Sequence, residues 1–180
     1  MTTDAAASTL IFAPIPSGDL VKIRAAGVDE AGNRLIPQVD AEGGSPLRCC
    51  LRETRAGEQV LLIAYTPPGT SGPYAERGPV FIHPGHCGGY PTPHCYPPEL
   101  SHRRQVVRGY DQDGRIAEGI LADDGEHALS VIQRMLARQD ISLVQLRNVG
   151  HGCYNCTVRR GGAHCALADR RRRECDGSMT

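Results

Sequence analysis

At 180 residues, the chain is long enough for one domain with its own hydrophobic core and short for two independent domains. Its 20 basic and 20 acidic residues give a formal net charge of +0, which argues against nucleic acid or an anionic membrane as a partner. Aromatic residues make up only 4% of the chain and Trp is absent, so stacking platforms for single-stranded nucleic acid are scarce. The remaining partner classes are a small molecule or another protein, and the sequence identifies neither.

The N-terminal region lacks the features of an export signal. Met1–Ser8 carries no cationic residue, and the apolar run Leu10–Ile15 is short and interrupted by Pro14. No stretch of the chain approaches the roughly 20 apolar residues of a membrane-spanning helix. These observations predict a cytoplasmic protein, in which clustered Cys more often serve metal binding or catalysis than disulfides. The even number of Cys, 8, leaves a secreted disulfide framework open as an alternative.

The composition divides the chain into three parts. Residues 1–45 are predicted to be a loosely structured lead-in that contains a strand at Thr9–Pro14 and a short helical turn at Asp19–Ala26. Residues 46–160 carry the regular hydrophobic patterns and are predicted to form the domain. Residues 161–180 are rich in Arg and are predicted to form a mobile tail.

The pattern of elements within residues 46–160 predicts the fold class. The clearest helix is Gly125–Arg138, where Asp123 and Glu126 have the spacing of a capping box and apolar residues recur every 3.6 positions. Seven segments have strand-like hydrophobic patterns: Arg48–Glu53, Gln59–Tyr65, Pro79–His83, Arg104–Tyr110, Arg115–Leu121, Ile141–Val149 and Tyr154–Arg159. This order predicts a single α+β domain, a mostly antiparallel sheet with one main helix packed on a face.

Metal-ligating side chains are concentrated in one loop. Residues 84–98 contain five Pro and three Gly, too many for a helix or a strand, and surface loops of this kind often carry functional sites. Five ligand candidates lie at its start and within it: His83, His86, Cys87, His94 and Cys95. Thiolate and imidazole groups at this density are typical of a metal site, and the same set suits zinc, copper(I) or iron.

A second ligand pair lies near the end of the domain. Cys153 and Cys156 have the two-residue spacing of zinc-binding Cys pairs, so they are the predicted complement to the loop ligands. On a regular strand the two side chains would point to opposite faces, and a turn at Tyr154-Asn155 is needed to bring them together. The preferred hypothesis is a zinc site of four Cys or His ligands that stabilises the fold rather than catalysing a reaction.

Two other functions fit the same residues. A neighbouring imidazole lowers the pKa of a thiol, so Cys87 and Cys50 are candidate reactive thiols of a thiol-dependent enzyme or redox protein. Alternatively, the Cys are small core residues and the protein is a metal-free ligand- or partner-binding module. Its pocket would then lie between Pro73–Glu76 and residues 84–98. Whether the protein is an enzyme stays undecided at this stage.

Several segments together resemble a known family. They are Pro46–Arg52, Val60–Tyr65, Pro73–Glu76, Gly78–His83 and Gly152-Cys153-Tyr154. In this order they resemble a bacterial family catalogued as domain of unknown function 1203. The resemblance implies a small soluble bacterial protein and brings no established activity.

One segment of this chain departs from the family pattern. That pattern reads Pro-Cys-Arg-x-Cys-Leu-Arg, whereas this chain has Leu47 at the first Cys, Cys49 at the variable position and Cys50 at the second Cys. If the segment is a strand, adjacent Cys49 and Cys50 point to opposite faces. We therefore expect that they do not bind one ion together.

Overall fold

The computed structural model describes residues 9–161. Within them the chain forms eight strands and two α-helices, together with two short 3₁₀ turns at Gly72–Tyr74 and Pro98–Leu100. In chain order the elements are β1 (Leu10–Ala13), α1 (Ser17–Ala26), β2 (Gln38–Asp40), β3 (Glu58–Tyr65), β4 (Gly78–Ile82), β5 (Gln105–Tyr110), β6 (Ile116–Ala122), α2 (Gly125–Ala137), β7 (Leu143–Asn148) and β8 (Tyr154–Arg160).

The strands form two sheets. The larger sheet has five antiparallel strands in the order β1-β8-β7-β5-β6, and the smaller has three antiparallel strands in the order β2-β3-β4. Helix α2 contacts four strands of the larger sheet and covers one of its faces. The predicted fold class, α+β with a mostly antiparallel sheet and one main helix, is confirmed.

Helix α2 begins one residue later than the predicted cap. The Asp124 side chain accepts a hydrogen bond from the backbone N–H of His127 at 2.8 Å, so Asp124 caps the helix rather than Asp123. The predicted apolar stripe is buried as expected: Ala128, Val131, Ile132, Met135 and Leu136. Burial of this stripe against the sheet stabilises the helix, which at 13 residues is too short to be stable alone in water.

The hydrophobic side chains form two clusters. One lies between α2 and the larger sheet and includes Cys156 and Val158 of β8. The other lies beside the smaller sheet and α1, and it includes Cys49, Cys50 and Tyr154. Strand β8 therefore supplies side chains to both clusters, and the register shift where it pairs with the end of β7 places Tyr154 and Cys156 on different sides.

The predicted strand at Arg48–Glu53 is wrong, because this segment reverses direction in a tight turn. The backbone N–H of Leu47 donates to the carbonyl of Arg52 at 2.8 Å, and the N–H of Leu51 donates to the carbonyl of Leu47 at 2.9 Å. Leu51 has a φ of 58°, in the left-handed region that non-glycine residues seldom adopt. These local hydrogen bonds prevail over the strand-like composition of the segment.

The described part of the N-terminal segment contributes strands to both sheets. Strand β1 pairs along its length with β8 as an edge strand of the larger sheet. Helix α1 lies against the smaller sheet, and its Arg24 guanidinium donates to the carbonyl of His83 at 2.9 Å. The division at residue 46 stays a prediction, and the predicted tail lies outside the described residues except for Gly161.

Neither α1 nor α2 has the length and apolar character that a helix needs to cross a bilayer, as far as residues 9–161 are concerned.

Candidate metal centre

Four metal-ligating side chains converge where the 47–52 turn meets the end of β4. One ligand atom from each of Cys49, Cys50, His83 and Cys87 lies within 4.8 Å of all the others. In a tetrahedral zinc site with Zn–S bonds of about 2.3 Å, neighbouring ligand atoms are about 3.8 Å apart. The described geometry is therefore close to that of a four-ligand site.

Backbone contacts hold the turn beside β4. Leu47 forms an isolated bridge with Phe81, and the backbone N–H of Arg48 donates to the Phe81 carbonyl at 2.8 Å. The buried Arg48 side chain also donates to the carbonyl of Tyr154, which links the turn to β8. Because His83 directly follows β4, the same contacts set the distance between the turn and the imidazole.

Short contacts join the imidazole to the two adjacent thiols. His83 Nδ1 lies 3.3 Å from Cys49 Sγ and 3.9 Å from Cys50 Sγ. The backbone N–H of His83 donates to Cys49 Sγ at 3.3 Å, and the backbone N–H of Arg52 donates to Cys50 Sγ. Backbone donors of this kind stabilise negative charge on sulfur, whether the thiolate is free or bound to a metal.

The two adjacent thiols differ strongly in acidity. A hydrogen bond from the Cys49 thiol, assisted by the Arg52 backbone N–H and guanidinium, lowers the pKa of Cys50 to about 6. The same hydrogen bond, together with burial, raises the pKa of Cys49. Near pH 7 the metal-free pair therefore carries one negative charge, with the proton held on Cys49.

The His83 imidazole is held in a neutral form. Burial, followed by the nearby Arg52 guanidinium, lowers the pKa of His83. Arg52 Nη2 lies 3.1 Å from His83 Nε2, and since Arg only donates, Nε2 is the acceptor and Nδ1 carries the proton. Glu58 fixes the Arg52 guanidinium with two contacts of 2.7 and 2.8 Å. A neutral imidazole is the form that binds metals.

The structure brings together only part of the predicted ligand set. His83 and Cys87 belong to the cluster, and Cys50, predicted only as a reactive thiol, is its third member. Cys49 is the residue that the sequence analysis missed, because the argument for opposite faces assumed a strand where the chain forms a turn. The sequence signal for Cys49 is that zinc ligands often come as two close-spaced pairs, here Cys49-Cys50 and His83-x-x-x-Cys87.

The other predicted loop ligands lie elsewhere. His86 is exposed and outside the cluster, and His94 Nδ1 lies 3.2 Å from the carbonyl of Leu10. Cys95 is disulfide-bonded, so its sulfur is not a free thiolate ligand.

The Cys153–Cys156 pair does not join the cluster either. Cys156 is fully buried beneath α2, and burial raises the pKa of its thiol to about 12. Cys153 precedes β8, is half-buried, and lies 3.7 Å from the carbonyl of His151. The turn at Tyr154-Asn155 that would bring the two thiols together is absent, because β8 starts at Tyr154.

Comparison with protein families identifies a match to this chain. The sequence model of a family described as "Protein of unknown function (DUF1203)" matches residues 44–160, which include all four cluster residues. No curated protein and no solved structure matches the chain.

Proposed function

The chain belongs to the DUF1203 family, and we propose that its Cys49, Cys50, His83 and Cys87 side chains bind one zinc ion at a structural site. The observation that carries the proposal is the convergence of four ligand atoms within 4.8 Å from two segments more than 30 residues apart. Four protein ligands complete a tetrahedral shell, which favours a structural role over a catalytic one.

The donor set supports zinc as the metal. Three thiolates and one imidazole form one of the usual donor sets of structural zinc sites. Carboxylate-rich sites select magnesium or calcium, and the cluster contains no carboxylate. Copper(I) and iron also accept soft thiolate ligands, so the metal content has to be measured rather than assumed.

The ion would stabilise a segment that has little regular structure. From His83 to Pro97 the chain forms neither helix nor strand. A zinc ion held by His83 and Cys87 from this segment and by Cys49 and Cys50 from the turn would cross-link the two. Binding free energy of this kind adds to the stability of the folded state.

Metal binding requires every coordinating sulfur to be a thiolate, so the protons on the Cys49 and Cys87 thiols have to leave for solvent. The His83 proton has to move from Nδ1 to Nε2, because only the unprotonated nitrogen binds the ion. The imidazole then carries its proton on Nε2, which faces the Arg52 guanidinium. Arg52 therefore has to withdraw from Nε2 while it keeps its two contacts with Glu58.

Metal content of tag-free protein purified under reducing conditions tests the proposal. We expect about one zinc per chain by elemental mass spectrometry, and a cobalt(II)-substituted sample with the absorption bands of a tetrahedral thiolate site. Cys87→Ser should lose the metal, whereas Cys153→Ser, which changes a half-buried thiol outside the cluster, should retain it. Folded protein that carries no metal and takes up none on reconstitution would refute the proposal.

A second candidate function is supported by the acidity of Cys50. With a pKa of about 6, this thiol is largely a thiolate at neutral pH, and Cys49 and Cys87 lie close enough to form a disulfide with it. Cys50 would then be the nucleophile of a thiol-dependent enzyme or redox protein, with Cys87 as the other candidate. Metal-free purified protein with one fast-alkylating thiol would favour this function. Both candidates require reduced thiols at Cys49, Cys50 and Cys87, which favours the cytoplasm, and we propose that compartment; the disulfide of Cys95 is unusual there.

A further inference from the structure

A cleft lies at the opposite end of β4 from His83. It has a volume of about 280 Å³, and it is lined by Tyr65, Glu76, Arg147 and Tyr154 together with the start of β4 and the turn before β8. The hydroxyl of Tyr65 donates to Asp19 at 3.3 Å, and that of Tyr154 lies 2.9 Å from Thr157 Oγ1. Both hydroxyls have partners within the protein, and the two aromatic side chains form part of the wall of the cleft.

The floor of this cleft holds a buried guanidinium with a donor to spare. The Arg147 side chain is 8% exposed. Its Nε donates to Gln145 Oε1 at 3.3 Å and its Nη1 donates to the Gly152 carbonyl at 2.9 Å. Its Nη2 donates no hydrogen bond to another residue within residues 9–161. The N–H groups of Nη2 are therefore the donors that this side chain retains for a ligand.

A second guanidinium shares the carboxylate that faces Arg147. Arg108 Nη1 contacts the two oxygens of Glu76 at 3.0 and 3.1 Å, and Arg147 Nη1 lies 2.5 Å from Glu76 Oε2. Glu76 is 44% exposed and lies on the irregular segment before β4, whereas both Arg side chains are fixed on strands and mostly buried. One carboxylate therefore contacts two guanidinium groups, and it is the most exposed member of the three.

Guanidinium N–H donors that are only partly paired favour an anionic partner. Isolated charges are costly to bury, and Arg guanidinium groups bind carboxylate and phosphate oxygens through paired N–H donors. We propose that this cleft is a binding site for a small anion, a carboxylate or a phosphate group. The ligand binds the Nη2 donors of Arg147 and competes with Glu76 for this guanidinium group. The tyrosine rings contact the apolar part of the ligand.

The size of the cleft limits the ligand. Its volume lies just below the roughly 300 to 1,000 Å³ of pockets that hold drug-sized molecules, so the part of a ligand that it encloses is small. The site is independent of the proposed zinc site, because no residue of the Cys/His cluster lines the cleft.

Calorimetric titration of the full chain with inorganic phosphate and, separately, with succinate tests the proposal. We expect at least one probe to bind with a Kd in the millimolar range at low ionic strength. Glu76→Gln removes the competing carboxylate and should tighten binding by about tenfold, whereas Arg147→Gln should weaken it by at least about tenfold. Preference for phosphate identifies a phosphorylated ligand, and preference for succinate a carboxylate.

Two further variants keep the test decisive. Arg115→Gln changes an arginine that is 67% exposed beside the β5–β6 turn and should leave the affinity unchanged. If Arg147→Gln does not fold, Arg147→Lys, which keeps the positive charge but loses the paired donors, should also weaken binding. The proposal is overturned if neither the natural protein nor Glu76→Gln binds either probe at about 10 mM. It is also overturned if binding is unchanged when Arg147 is replaced.

Discussion

Two pairs of cysteines that are close in the sequence differ in whether their sulfurs lie together in the fold. Cys49 and Cys50 are adjacent in sequence, and their sulfurs converge with His83 and Cys87 because the chain reverses direction around them. Cys153 and Cys156 have the spacing typical of zinc sites, yet one lies half-buried before β8 and the other lies beneath α2.

The difference shows that backbone conformation decides whether two close thiols can bind one ion. A turn directs successive side chains to the same side, whereas a strand directs them alternately to its two faces. The spacing of two cysteines in the sequence does not by itself determine whether their sulfurs can bind one ion. The two pairs also differ in charge, since hydrogen bonding lowers the pKa of Cys50 to about 6 and burial raises that of Cys156 to about 12.

The largest expected effect is on metal affinity. Replacement of a cluster thiol, as in Cys49→Ser, removes one of four ligands, and we expect zinc affinity to fall by more than about 100-fold. Cys156→Ser should leave the affinity within about twofold, since its sulfur lies in the other hydrophobic cluster. Competition titration against a chromophoric chelator measures both. Equal losses of zinc affinity in the two variants would show that the cluster at the 47–52 turn is not the metal site.

The second effect concerns the stability of the fold, which should depend on Cys156 although zinc affinity should not. Cys156 is 0% exposed, so Cys156→Ser buries a hydroxyl in an apolar environment and should lower the free energy of unfolding by about 1 to 3 kcal/mol. The matched variant Cys153→Ser changes a half-buried thiol and should lower it by less than about 0.5 kcal/mol. Urea unfolding with a chelator present isolates this effect from metal binding. Similar values for both variants would contradict the assignment of Cys156 to the core.

The third effect is a difference in thiol reactivity with pH. In metal-free protein, the thiolate fraction of Cys50 should follow a pKa of about 6, so its alkylation rate should fall about tenfold from pH 7 to pH 5. Cys156 should stay unmodified over this range, because it is buried and its pKa is raised to about 12. Peptide mapping after timed exposure to iodoacetamide measures each site. A Cys50 rate that still rises steeply above pH 8 would contradict the lowered pKa.

The same pKa shift links stability to pH in the metal-free protein. The folded-state pKa of Cys50 is depressed from an ordinary value of 9.0 to about 6. Its contribution to stability is therefore fully present above about pH 9 and is lost as the pH falls through 6. The raised pKa of Cys49 acts in the opposite direction, and its contribution is lost as the pH rises above about 9. Stability measured from pH 6 to 9 should increase by more in natural protein than in Cys50→Ala.

Hydrophobic periodicity was sufficient to predict most of the fold. Strand β3 and helix α2 were predicted to within about two residues at each end, because their apolar residues follow the period of the element in which they lie. The segment around Cys49 and Cys50 was mispredicted, because its composition is strand-like and its turn depends on contacts with β4 and β8 that are remote in sequence.

Two of the four residues of the candidate site were predicted as metal ligands from the sequence. His83 and Cys87 were found because both lie close together at the start of a loop rich in Pro and Gly, where a local argument suffices. Their partners come from a segment more than 30 residues earlier, and the long-range contact that unites the two has no local signature. The proposed anion-binding cleft could not be predicted from the sequence either, since Glu76, Arg108 and Arg147 come from three distant segments.

The smallest effect tests the turn itself. Leu51 is the one non-glycine residue with a positive φ within residues 9–161, and its side chain is buried. Isoleucine conserves its volume but is branched at Cβ and tolerates left-handed backbone poorly, whereas methionine conserves volume without the branch. We expect Leu51→Ile to lower the free energy of unfolding by about 1 to 2 kcal/mol more than Leu51→Met. Zinc affinity should fall severalfold only in the isoleucine variant, because the widened turn separates Cys49 and Cys50 from His83. If the two variants are equally stable and bind zinc equally well, the turn is not the element that makes this cysteine pair converge.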